Sequence, residues 1–165
     1  MKVISGGQTG ADIAGLEMAA KHGFETGGTL PFGYKTLDGP KPEYKTMYGV
    51  QADKSSSYVP RTRANVRNSD GTIRLAFDFN SAGEKCTLKA IQSCDKPHID
   101  VDLSDPIPVA DVVDWLKANN IQVLNVAGNA EQTSPGTHEA VCRYLDEVFT
   151  IWKGSSDERI GENAC

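Results

Sequence analysis

The stretch Lys2–Gly23, KVISGGQTGADIAGLEMAAKHG, decides the fold. Lys2 to Ser5 is a short run of β-formers that stops at the small residues Gly6-Gly7-Gln8-Thr9-Gly10. A helical spacing follows, with Ile13, Leu16, Glu17 and Ala20 on one face, and it ends at His22-Gly23. Strand, glycine-rich turn and helix in this order form the opening unit of a parallel α/β sheet.

The same alternation recurs downstream. Thr72 to Phe79 (TIRLAFDF) reads as a strand, Ser81 to Gly83 as a turn and Glu84 to Cys94 as a helix. His98 to Leu103 is strand-like, and Asp105-Pro106 opens a helix carrying Val109, Val112, Val113 and Leu116. Ile121 to Ala127 (IQVLNVA) reads as a buried strand, Gly128 to Gly136 as a polar turn, and Thr137 to Phe149 as an amphipathic helix. Gly27 to Ser57 shows no periodicity and is expected to be a long ordered loop with at most one short strand. Pro60 to Arg67 forms a short helix before the turn Asn68-Ser69-Asp70-Gly71. The connections are long enough for crossovers, which predicts one three-layer α/β domain with a mainly parallel sheet over residues 1–153. Residues 154–165 are expected to be a polar, flexible tail.

Composition narrows the function. A net charge of -5 lacks the basic surplus of a polymeric nucleic-acid binder. No apolar run approaches the ~20 residues of a membrane span. The N-terminus enters the first turn with no signal peptide, so the expected location is cytoplasmic, where Cys86, Cys94, Cys142 and Cys165 stay free thiols. Cys142 reads as core packing. His22, His98 and His138 show no metal-ligand spacing to one another, and no metal site is expected.

In a parallel sheet, turns that follow strands collect at one edge, where ligands bind. Four polar constellations should contribute there. In the first, Ser5, Gly6, Gly7, Gln8, Thr9 and Gly10 offer close backbone approach and amides at a helix N-terminus. Asp12 in the following turn either accepts from a ligand hydroxyl or complements the helix dipole. In the second, Arg61, Arg63 and Arg67 crowd one short segment, and Arg61, with Thr62 and Asn65 nearby, is the pocket candidate for bidentate anion recognition. Arg63 and Arg67 read as a solvated face. The third is Ser81, Gly83 and Thr87, with Glu84 either opening the helix or serving as acid/base. In the fourth, Ser134 caps the last helix ahead of Pro135, and Gly136 follows; capping alone explains these residues, and ligand contact stays open. Glu84 and Asp12 are the catalytic candidates, if the protein is an enzyme at all.

Several of these motifs, taken in order, resemble one family. They are Ser5–Asp12 (SGGQTGAD), Gly28 with Pro31 and Gly33, Asp38-Gly39-Pro40, Arg61–Thr72 (RTRANVRNSDGT), Lys96-Pro97 with Asp100–Leu103, Asn125–Gly128 (NVAG) and Ser134-Pro135-Gly136. The chain resembles the proposed molybdenum carriers of the SLOG superfamily over roughly residues 1–150. That resemblance implies a Rossmann-like fold, a pocket for a nucleotide or nucleotide-derived anion to which Gly28 would contribute, and a homo-oligomer. The chain departs from the family where Ala82-Gly83-Glu84 replaces a Gly-Gly-Thr turn, and it does not match the glycosidic-cleavage motif of the LOG relatives. The expected function is therefore a carrier, sensor or sequestering protein that requires no cofactor. The alternatives are a hydrolase cleaving an N-glycosidic or phosphoester bond of a nucleotide, and a carrier of the molybdenum cofactor. Phe149, Ile151 and Trp152 either form an exposed contact surface for self-association or fold back onto the core.

Overall fold

The computed structural model describes residues 1–162, with side chains as far as Ser155. In chain order the elements are β1 (Lys2–Ser5), α1 (Ala11–Lys21), β2 (Glu25–Gly27), β3 (Thr29–Leu30), β4 (Lys35–Thr36), β5 (Gly39–Pro40), α2 (Tyr44–Tyr48) and β6 (Gln51–Ala52). They continue as α3 (Tyr58–Arg67), β7 (Gly71–Ala76), α4 (Ala82–Cys94), β8 (His98–Asp102), α5 (Val109–Ala118), β9 (Val123–Gly128) and α6 (Thr137–Glu162).

The central sheet has five strands in the order β2-β1-β9-β7-β8, and every pairing is parallel. Counted from β9, the order reads 3-2-1-4-5, that of a doubly wound dinucleotide-binding fold entered at a different strand. The switch in strand order therefore lies at β9, between β1 and β7. Alternation along the strands sends Val3, Ile73, Leu75, Leu124 and Val126 into the main core against α1, α5 and α6. The opposite face, under α3 and α4, is partly polar: Thr72, Arg74 and Asn125 are all buried there, and Asn125 donates to Thr72 Oγ1.

The expected alternation of elements holds, with several corrections. The segment Gly27–Ser57 contains four two-residue strands and α2, because β3 pairs with β6 and β4 with β5. Pairs this short leave no periodicity to read. The strand expected to reach Phe79 stops at Ala76, because the amides of Phe77 and Asp78 donate to Asn129 Oδ1 and not to a neighbouring strand. The helix expected from Pro60 starts at Tyr58, where Ser57 Oγ accepts from the Val59 amide. The helix expected at Asp105-Pro106 starts at Val109, after a turn in which the Asp105 amide donates to Asp102 O. The last helix runs past Phe149 to Glu162, so the expected tail is helical as far as that residue, while 163–165, with Cys165, lie outside the described residues. Phe149 is fully buried and Trp152 packs against the same core, so these two fold back on their own domain, while Ile151 stays exposed. Lys153 Nζ also reaches His22 O, which helps hold the extension in place. The expectation of a homo-oligomer then rests on the resemblance and on the exposed Ile151. No helix among the described residues is long and apolar enough to cross a membrane.

Candidate functional site

A cavity of about 330 Å³ opens at the carboxyl ends of β1, β9 and β7, beside the switch point. Local sequence dictates its walls. The β1–α1 turn passes close behind the end of β9: the Ala11 amide donates to Asn129 O, and a Cβ on Gly10 would sit 2.3 Å from that oxygen. Gly10 also takes φ +83°, a left-handed conformation that favours glycine. Asn129 fastens the second turn. Its Oδ1 accepts from the Phe77 and Asp78 amides at 2.9 Å each, and its Nδ2 donates to Asp78 O. The start of α4 then projects into the cavity with Ser81 as its N-cap.

The cavity gathers Gly6, Gln8, Asp12, Arg61, Thr62, Asn65, Ser81, Gly83, Glu84 and Thr87 from three of the four expected constellations, and from the fourth segment only Thr133, just before Ser134. Gly6 is bare for a steric reason, since a Cβ there would lie 1.8 Å from Arg61 Nη1. Arg61 Nη1 donates to Asp12 Oδ2 at 3.2 Å, and its guanidinium lies over the Tyr58 ring, 5.4 Å from the centroid. Burial raises the pKa of Asp12, against the lowering influence of Arg61 and of the Gln8 and Gly6 amides. Arg61 Nε and the Tyr58 hydroxyl are both buried with no protein partner.

Glu84 is 1% exposed and lies in the cavity wall. Burial pushes its pKa up to about 7, with Arg74 opposing and Asp12, Asp100 and Asp78 assisting. Arg74 rises from the sheet beneath, 3.4 Å from Glu84 Oε2, and is also paired with Asp100 on β8. Some lining residues have their polar groups committed within the fold. Asn65 clamps the backbone of Thr29 through both ends of its amide, Thr62 Oγ1 donates to Tyr58 O, and Thr87 Oγ1 to Gly83 O. Gln8 Oε1 accepts from the Thr9 and Leu37 amides.

The other expected residues stand apart from this cavity. Ser5 Oγ lies beneath it, donating to Asp12 O and accepting from the Gly7 amide. Gly28, at φ +126°, packs against Ser5, whose carbonyl oxygen would be 2.1 Å from a Cβ. Gly7, Thr9 and Gly10 face a second, smaller cavity of about 180 Å³. Ser134 and Gly136 line neither cavity, and the Gly136 amide donates to Glu131. Arg63 and Arg67 are exposed, as expected. Tyr58, Leu37, Asn125 and Asn129 line the main cavity without having been singled out as site residues. The NVAG run and the Asn after it carried a signal for the last two; nothing local marked Tyr58 or Leu37.

A further cluster escaped a search based on histidine spacing. Glu17 on α1 meets His138 and Cys142 on α6. His138 Nε2 is 2.6 Å from Glu17 Oε2, and Cys142 Sγ is 3.8 Å from that nitrogen and 3.9 Å from that oxygen. Burial, then the Glu17 and Asp146 carboxylates, push the Cys142 thiol up to about 11.

Comparison with known proteins agrees with this geometry. The circularly permuted YpsA SLOG family matches residues 3–149. A solved structure of a proposed molybdenum carrier protein from Syntrophus aciditrophicus SB is 37% identical. It superposes with a TM-score of 0.81, covering 90% of this chain and 93% of that one. No curated protein matches.

Proposed function

This chain belongs to the circularly permuted YpsA SLOG family, and from that premise we propose that it binds a nucleotide-derived anionic small molecule in the cavity at the β9 switch point, as a carrier, sensor or sequestering protein. The observation that carries this reading is the pair of buried polar groups, Arg61 Nε and the Tyr58 hydroxyl, that no protein atom satisfies. A buried donor without a partner costs about 1–3 kcal/mol, a cost that a ligand acceptor removes. The first turn of α4 adds amides and a favourable dipole for an anion. The apolar side chains of Val59 and Leu37 suit a base or a pterin ring. Burial raises the Glu84 pKa and so favours its neutral form, which moderates its repulsion of an anion.

The test is thermal stabilisation by a panel of nucleotides, cyclic nucleotides and pterins. A true ligand stabilises by about 2.7 kcal/mol at a hundredfold excess over its Kd. Arg61→Ala should abolish the shift. A panel without any shift would remove the reading. The molybdenum carrier named among the neighbours makes the molybdenum-bearing pterin the member of that panel to try first.

A second reading is supported by Glu84 alone. A buried carboxyl titrating at about 7 in a cavity wall is tuned for general acid or base work, as a nucleotide hydrolase would need. Glu84→Gln separates the two: binding retained with turnover lost favours the hydrolase, and no turnover of any bound ligand by the wild type favours the binding protein.

A further inference from the structure

We propose that Glu17, His138 and Cys142 form a binding site for a zinc-class divalent cation, separate from the cavity at the switch point and independent of the ligand proposed there. The three donors come from two helices packed side by side. His138 and Cys142 are four residues apart on α6 and so share a face, and that face meets Glu17 on α1. Imidazole, thiolate and carboxylate together are a donor set for zinc and its neighbours, not for magnesium or calcium.

The spacing fits. Tetrahedral zinc with ordinary bond lengths sets its donor atoms about 3.3–3.6 Å apart. Cys142 Sγ already stands 3.8 Å from His138 Nε2 and 3.9 Å from Glu17 Oε2. The imidazole and carboxylate, 2.6 Å apart in their hydrogen bond, need only part to admit the ion between them. Both are partly exposed, at 41% and 36% of their side-chain surface, so side-chain rotation accomplishes this without disturbing the core. As the sulfur–metal bond forms, the thiol proton leaves to solvent, together with any proton shared by His138 and Glu17. The cation then carries a thiolate and a carboxylate, which balance its charge.

Three protein ligands leave a fourth position. Glu17 and His138 both line the second cavity, which also presents Tyr44 and Lys41. A cation with three protein ligands and an open fourth position is the arrangement of a catalytic or ligand-exchanging zinc centre, whereas a structural zinc is closed by four protein ligands. The fourth ligand here is a water or an anion entering from that cavity.

Cobalt(II) titration of the full chain, stripped with a chelator and kept reduced by a non-thiol reductant, tests the site. One equivalent should bind with a thiolate-to-cobalt charge-transfer band and the intense visible bands of tetrahedral cobalt, and zinc should displace it. Cys142→Ser should lose the charge-transfer band. His138→Gln and Glu17→Gln should each weaken binding at least about tenfold, with the far-ultraviolet dichroism unchanged. Cys86→Ser and Cys94→Ser should leave the spectrum intact. Absence of the band in the wild type, or its survival in Cys142→Ser, would overturn the proposal. So would octahedral cobalt spectra or unchanged affinity in both Gln variants.

Discussion

The β1–α1 and β7–α4 turns share a plan and differ in what holds them. Each leads from a central strand into a helix and buries a carboxylate in the first helical turn, Asp12 in one and Glu84 in the other. Asp12 is held at the level of the main cavity, by Arg61 from α3 and by the Gln8 amide of its own turn. Glu84 is held from below, by an Arg74 that is divided between it and Asp100. The glycines differ too. Gly10 is jammed against Asn129 O in a left-handed conformation, whereas a Cβ on Gly83 would meet nothing within 4 Å. The first turn is thus over-determined by backbone contacts. The second is held by two side chains, Asn129 and Arg74, and has spare volume at Gly83.

The largest expected effect breaks the first turn. Gly10→Val must enter a disfavoured conformation and displace Asn129 O together, so a loss of at least about 4 kcal/mol is expected, read as the disappearance of the cooperative thermal transition. Next comes Arg74→Ala, which strips Glu84 and Asp100 of their common cation. Breaking a fully buried pair costs about 3–5 kcal/mol; because Asp100 is partly exposed and Glu84 can take up a proton, the loss in urea unfolding is expected at the lower end of that range.

Glu84 sharpens the comparison through pH. Its pKa rises from 4.5 to about 7 on folding, so below about 4.5 both states hold the proton and the contribution of Glu84 to stability is complete. Between those values the unfolded chain releases the proton first, and stability falls as pH rises. Above about 7 the loss levels off, on the order of 3 kcal/mol. Glu84→Gln should flatten that decline, measured by urea unfolding across pH 4 to 9. Asp12, also raised by burial, contributes a loss of the same sign that persists in this variant. The smallest effect is Gly83→Ala, which enters open space in a helical first turn. It should change stability by no more than about 1 kcal/mol, in the stabilising direction. A large destabilisation would show that the second turn is as constrained as the first.

Reading by pattern succeeded where the signal was periodic. The four central-sheet strands other than β2, and the helices between them, follow from apolar spacing, since their side chains face a core or solvent at regular intervals. The minor strands between Thr29 and Ala52 escaped because pairs of two residues have no period, and the strand end at Ala76 escaped because Asn129, far along the chain, captures the next two amides. Residues of the site were legible by type more than by role. Ser5, Asn65 and Thr87 carry polar side chains of the kind a ligand site needs, and the fold uses those groups for its own backbone.

By itself the sequence determined an acidic α/β chain whose polar turns must meet at one edge of a parallel sheet. Strand alternation and short turns after strands are local properties, written in neighbouring residues. Only the tertiary structure decided that β9 inserts between β1 and β7, that Arg61 closes over Gly6, that Glu84 titrates at about 7, and that Glu17 reaches His138 and Cys142. Each of these depends on contacts across tens of residues of chain. No local preference encodes such contacts, because they arise when helices and strands find the one arrangement that buries their apolar faces together.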